Sequence, residues 1–143
     1  MKLAAGALVV IVALIHFGIM FAEMYPFKPK PPMLLAKLEK DMGFAEGQGV
    51  HASPIVRNAG LFNGFLAAGL IWGWKARVNS FQVRAFFLVC VTIAGIFGAL
   101  TLPSQLTLWV QTLPGIVALV VNWLARENES VSHGHEPIPA TLT

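Results

Sequence analysis

Residues 3–22 read LAAGALVVIVALIHFGIMFA, twenty positions without a formal charge and with one ionisable side chain, His16. The hydrocarbon core of a bilayer is about 30 Å thick and takes roughly 20 apolar residues of helix to cross. This stretch therefore predicts a transmembrane helix. Further apolar stretches occupy 58–74, 85–102 and 106–125. With caps and interfacial residues added, the spans read as about 3–25, 54–75, 83–102 and 105–125. The expected fold class is all-α: an integral membrane four-helix up-and-down bundle with a short interfacial helix in its first loop.

Composition agrees. Of 143 residues, 56% are hydrophobic and 12% charged, and the mean hydropathy is +0.68, outside the range of ordinary soluble domains. One bundle over 1–126 uses nearly all of the chain as a single domain. The segment 127–143 is polar, contains Pro137 and Pro139, and predicts a disordered tail. A formal net charge of +3 could suggest nucleic acid, but the basic residues sit beside the spans instead of forming a stripe. Lipid headgroups are the partner this implies. Cys90 is the only cysteine, which excludes an internal disulfide and a Cys-based zinc site. Lys2 ahead of an apolar run resembles a signal peptide, yet the run is too long and Phe21 is large where cleavage wants a small residue. The first span is expected to be retained.

Along the chain, Tyr25-Pro26 marks the end of the first span, followed by the stiff basic run Lys28-Pro29-Lys30-Pro31-Pro32. Residues 33–42 place Leu34, Leu35, Leu38 and Met42 on one helical side and Lys37, Glu39, Lys40 and Asp41 on the other, the pattern of a helix lying in the headgroup layer. Gly43, Gly47 and Gly49 then lead past His51 to Ser53-Pro54, a cap-and-first-turn signal for the second helix. Asn79-Ser80 and Pro103-Ser104-Gln105 are short connections, so consecutive helices should be antiparallel neighbours. Lys and Arg divide evenly between the two sides of such a bundle. The compact cluster of Lys75, Arg77 and Arg84 tips the reading towards both termini in the cytoplasm of a bacterial inner membrane.

Polar residues inside spans are costly and point to sites. His16 and Glu23 are seven positions apart and so share a face, about 10 Å apart along the helix axis. Arg57, Asn58 and Asn63 of the second helix, Thr101 of the third, and Gln105 and Gln111 of the fourth fall in the same half of the bilayer. The other half is almost purely apolar until Asn122. Small-residue seams at Gly60, Gly64 and Ala68, at Gly95 and Ala99, and at Gly115 and Ala118 between Gln111 and Asn122 would let the backbones approach closely. The expected site comprises His16, Glu23, Arg57, Asn58, Asn63 and Gln111, with His16 and Glu23 as the catalytic candidates. The structural alternatives are a Glu23–Arg57 ion pair, a His16 hydrogen bond to Asn63 or to a backbone carbonyl, and asparagines serving as interhelical glue. His16, Met20, Glu23 and Met24 form a mixed donor set that soft Cu(I) would favour, but Met also fills ordinary packing space, and no metal is assigned. His133-Gly134-His135 is weak evidence for one. No phosphate-cradling loop, nucleophile elbow or CxxC motif is present.

The run His16-Phe-Gly-Ile-Met-Phe-Ala-Glu23-Met24, followed by Asn58-Ala-Gly60-Leu-Phe-Asn63-Gly64-Phe-Leu-Ala-Ala-Gly69-Leu-Ile-Trp72-Gly73, resembles the small four-span membrane proteins catalogued as domain of unknown function 1304. Ala94-Gly95-Ile-Phe-Gly98 and Gln111-x-x-Pro114 are also similar to that family's pattern. The chain departs from it at Arg57-Asn58-Ala59-Gly60, where relatives carry a neutral amide-rich sequence, and in its Pro- and Lys-rich first loop. The resemblance implies the four-span fold and points to the same polar residues. It implies no activity.

Three functional expectations follow. The first is a bundle binding a small or lipid-derived ligand, or a proton, at the His/Glu/Asn cluster. The second is an accessory or structural subunit of a larger membrane complex, assembled with itself or with partner membrane subunits. The third is an intramembrane isomerase or cyclase acting on a hydrophobic substrate, with Glu23 as acid and His16 as base. No cofactor is specified.

Overall fold

The computed structural model describes residues 1–24, 39–41 and 43–133, with backbone alone described at 49–53 and 127–133. Four long helices dominate: α1 (Lys2–Met24), α2 (Gly49–Lys75), α3 (Ser80–Thr101) and α4 (Leu113–His133). A π-helical turn, Leu108–Thr112, leads directly into α4. Among the described residues, four stretches are long and apolar enough to cross a membrane: Lys2–Met24, Pro54–Lys75, Ser80–Thr101 and Leu108–Arg126. The protein is a helical membrane bundle. The helices pack as a ring, α1 on α2, α2 on α3, α3 on α4 and α4 back on α1, with α1–α2 the most extensive contact. The short connections 76–79 and 102–107 make α2, α3 and α4 consecutive neighbours.

Large apolar side chains such as Leu14, Phe65, Phe97, Leu100 and Trp109 point outward. They form the lipid-facing surface of a bundle whose interior is built from smaller residues: Val9, Val12 and Ala13 of α1, Ala67 and Leu70 of α2, Leu88 and Val91 of α3, and Ala118 of α4. Buried positions follow alternating steps of three and four. They run 5, 9, 12 and 16 on α1, with 6 and 13 buried beside them, 60, 64 and 67 on α2, followed by 69, 70 and 73, then 88, 91 and 95 on α3, and 115, 118, 122 and 125 on α4. This is the seven-residue repeat that keeps one stripe facing its neighbours.

It also corrects one seam position. Ala68, a second step of four from Gly60, does not close its seam: it is exposed, and Ala67 is buried instead. On α3, Gly98 meets Thr107. Each step of four overshoots a turn by about 40°, so a seam must take a step of three to stay on its face.

The π turn has a local cause. Pro114 supplies no N–H, and its ring would clash with the carbonyl four residues back. The chain widens instead, and the Leu113 N–H donates to Leu108, five residues earlier. Gly95 then lies so close that a Cβ on it would sit 2.7 Å from the Thr112 backbone nitrogen.

The ends differ from expectation in three places. Helix α2 starts at Gly49, so Pro54 lies inside it and Ser53 is not its cap, although the spanning part does begin at Pro54. Proline forfeits one hydrogen bond near a helix start, which leaves the preceding turn free to form. Helix α4 continues to His133 where composition suggests disorder from Glu127. Elongating an existing helix costs little, and the next strong breaker is Gly134. In the first loop, residues 39–41 belong to a short helix, but Glu39, expected to face outward, is 5% exposed. Its carbonyl accepts the Phe44 N–H at 2.8 Å, and Gly43, at φ +76°, packs on Pro103 at the α3–α4 turn. The loop end thus docks on the bundle. Tyr25-Pro26, the proline-rich run, Leu34, Leu35, Leu38, Met42 and the tail from Gly134 lie outside the described residues, as does the His51 side chain.

Glycines at helix contacts should tolerate no side chain. Gly69→Val, which would overlap the Phe87 ring, and Gly95→Val should each lower stability by about 1–3 kcal/mol. Gly18→Ala, with nothing within 4 Å of the added carbon, should be neutral or stabilising by up to about 1 kcal/mol. Thermal unfolding of the three variants in detergent checks this ordering.

Candidate functional site

Gly60 and Gly64 bring α2 against α1 at the level of Met20–Met24. A Cβ on Gly60 would lie 2.8 Å from Met24 Cγ, 2.9 Å from Glu23 Cβ and 3.3 Å from the Met20 carbonyl. Asn63 sits between the two glycines in sequence, and this approach carries its amide to Glu23. Asn63 Nδ2 donates to Glu23 Oε2 at 3.0 Å and to the Ala59 carbonyl at 3.2 Å. Met20 and Met24 fill the space over Gly64 and Gly60, which is packing use of the thioethers. Among the described residues, no group of three or more His, Cys, Asp and Glu gathers as a metal site would require.

His16 is fully buried. Its Nδ1 bonds the Val12 carbonyl one turn back at 2.9 Å, with Nδ1–H as donor, so the structural bond to a backbone carbonyl is the one realised. The other ring nitrogen, Nε2, is buried without a hydrogen-bond partner, as are the hydroxyls of Thr107 and Thr112. The antiparallel pairings of α1 with α2 and with α4 put His16 about level with Ala67 and Thr112, in the middle of the bundle.

Between α1 and the α3–α4 connection with its π turn lies a pocket of about 190 Å³. Ile19, Ala22, Leu102, Leu106 and Val110 make its walls apolar, and Glu23, Asp41, Ser104, Thr107 and Gln111 supply its polar groups. Three features of the fold build it. The α1–α2 seam orients Glu23, the π turn aims Gln111, and the docked end of the first loop brings Asp41. Of the expected residues, the structure joins Glu23, Asn63 and Gln111 around one place. His16 lies deeper and does not line the pocket, while Arg57 and Asn58 are exposed and do not line it either. Asp41 was legible only as part of the polar side of an amphipathic segment. Nothing in its spacing announced that it would line a pocket with a carboxylate eighteen positions earlier.

A family model described as "Protein of unknown function (DUF1304)" matches residues 10–123. The chain belongs to this family. No curated protein and no solved structure matches the chain. The stretches through which the sequence resembles the family occupy the contacts just described: His16, Glu23 and Met24 on α1, Gly60, Asn63 and Gly64 on α2, Gly95 and Gly98 against the start of α4, and Gln111 to Pro114 in and after the π turn.

A double-mutant cycle on Glu23→Leu and Asn63→Leu should give a coupling of about 0.5–1.7 kcal/mol, the range for interhelical hydrogen bonds in membranes. His16→Leu should change stability by less than about 1 kcal/mol, since Nε2 has no partner to lose and Nδ1 bonds only its own helix. Reversible unfolding in mixed micelles measures both. A large loss on His16→Leu would instead show that the imidazole anchors the bundle.

Proposed function

We propose that this protein binds a small amphipathic, lipid-derived molecule in the pocket between α1 and the π turn. The polar head lies on Glu23, and the apolar body runs along Ile19, Leu102, Leu106 and Val110. One observation carries the reading: a carboxylate near the end of a span, held by an amide from the neighbouring helix, lines a cavity whose walls are otherwise apolar. Few, well-placed polar groups in an apolar concavity are the usual makeup of a small-molecule site. A carboxylate in a span is a functional candidate by its cost alone.

Two carboxylates, Glu23 and Asp41, and the Gln111 amide favour a head that donates hydrogen bonds, an amine or a hydroxyl. The same carboxylate can carry a proton, so a proton is the smallest ligand of this class. The arrangement gives less support to an isomerase or cyclase, because an acid–base pair must reach one substrate and His16 does not line this cavity. We place the protein in a bacterial inner membrane with both termini in the cytoplasm. The convergence of Lys2, Arg84 and Arg126 at the end of the bundle that carries the termini supports that placement.

The test uses the full chain in maltoside detergent with dodecylamine and dodecanol as probes. Dodecylamine should raise the melting temperature saturably. Glu23→Gln should weaken its binding by about tenfold or more, as removal of a charge-assisted bond predicts. Glutamine keeps an acceptor for Asn63, so the bundle should survive the change. Equal binding by wild type and Glu23→Gln would sink the assignment.

A further inference from the structure

At the opposite end of the bundle from Glu23, a second pocket of about 100 Å³ lies among the start of α1, the start of α3 and the end of α4. Its lining includes Lys2, Arg84 and Arg126, together with Phe81 and Asn122. Among the described residues that line it, none is acidic. The cations are positioned: Arg84 Nε donates to the Ser80 carbonyl at 3.2 Å, and the Arg126 guanidinium lies 4.5 Å from the centre of the Phe81 ring. Phe81 in turn packs edge-on against Trp123, with ring centres 5.7 Å apart.

Asn122 forms the inner end of the pocket. It is 1% exposed, and neither Nδ2 nor Oδ1 has a hydrogen-bond partner. A buried amide with both polar atoms unmet is costly and calls for an explanation. The apolar surroundings of α4 offer none. In a bundle whose other buried seam positions on this helix are glycine and alanine, an alanine would fit here at no such cost.

We infer that this pocket binds a phosphate group. A phosphate oxygen accepts from Asn122 Nδ2, and the remaining oxygens accept from the guanidinium and ammonium groups, which match phosphate by charge and by directed N–H donors. Asn122 Oδ1 needs a donor, which a hydroxyl on the same ligand provides. Two sources share this chemistry: the hydroxylated phosphodiester headgroup of an anionic lipid such as phosphatidylglycerol, and free hydrogen phosphate. The pocket lies beside the interfacial residues Trp123 and Arg126, at the depth of headgroups, and basic clefts between spans are known lipid sites. Its volume exceeds that of one water, about 30 Å³, and suits a tetrahedral anion better than an acyl chain. The site is independent of the pocket at Glu23.

The experiment is a thermal-shift titration of the full chain in maltoside detergent with dioctanoyl-phosphatidylglycerol, dioctanoyl-phosphatidylcholine and inorganic phosphate. Saturable stabilisation by the glycerol lipid but not by phosphate assigns a lipid headgroup. Saturable stabilisation by phosphate alone assigns the free anion. Either supports the site, provided that Asn122→Leu and Arg126→Gln each weaken binding by about tenfold or more. Without ligand, Asn122→Leu should melt no lower than wild type, because it removes two unmet polar atoms. Arg126→Gln, at the exposed rim, keeps the test decisive if the Asn122 variant does not fold. Equal stabilisation by phosphatidylcholine, no stabilisation by either anion, or unchanged binding in Arg126→Gln overturns the proposal.

Discussion

The α1 and α2 backbones approach closely, and the loop-side half of the protein depends on that approach. Within lipid there is no hydrophobic force to hold two apolar helices together, so association rests on close van der Waals packing and on interhelical hydrogen bonds. Gly60 and Gly64 provide the first, opposite Met20, Glu23 and Met24. The second comes from the residue between those glycines, Asn63, which reaches Glu23. A side chain on either glycine would push the helices apart and draw the amide away from the carboxylate. Packing and polar chemistry are therefore one arrangement here.

The α3–α4 side repeats the logic with a different device. Pro114 prevents a regular helix at its own start, and the resulting π turn widens the backbone. Gly95 and Gly98 give it room against Thr112 and Thr107. Gln111 is within this turn, and the pocket opens between it and Glu23. A π turn in a helix is frequently found where a side chain must be re-aimed. The proline and the glycines facing it act together.

Polarity is divided between the two ends of the bundle. The loop-side end presents Glu23, Asp41 and Gln111 to one cavity. The end carrying the termini presents Lys2, Arg84 and Arg126 to another, with Asn122 beneath them. Between them the interior is aliphatic apart from a few buried groups, His16 among them, whose inner hydrogen bond closes on its own helix. The two cavities thus differ in the charged side chains that line them.

Much of this was written in local sequence. Four runs without charge demanded spans, because a bilayer leaves no other place for twenty apolar residues in a row. Small-residue seams at Gly60 and Gly64, at Gly95 and at Gly115 demanded close helix contacts, and polar residues within spans demanded an interior. A seven-residue interval placed His16 and Glu23 on one face, since helix periodicity is a property of the chain alone. What no local pattern held was how far each group stands from the others across helices. Whether Ala67 or Ala68 continues a seam depends on the twist of two helices around each other, and that alternation of steps is set only when they pack. The separation of His16 from the Glu23 pocket, the docking of Asp41 over it and the unmet amide of Asn122 are likewise facts about several elements at once. Sequence decides which side chains each helix can offer; only the assembled ring decides which of them meet.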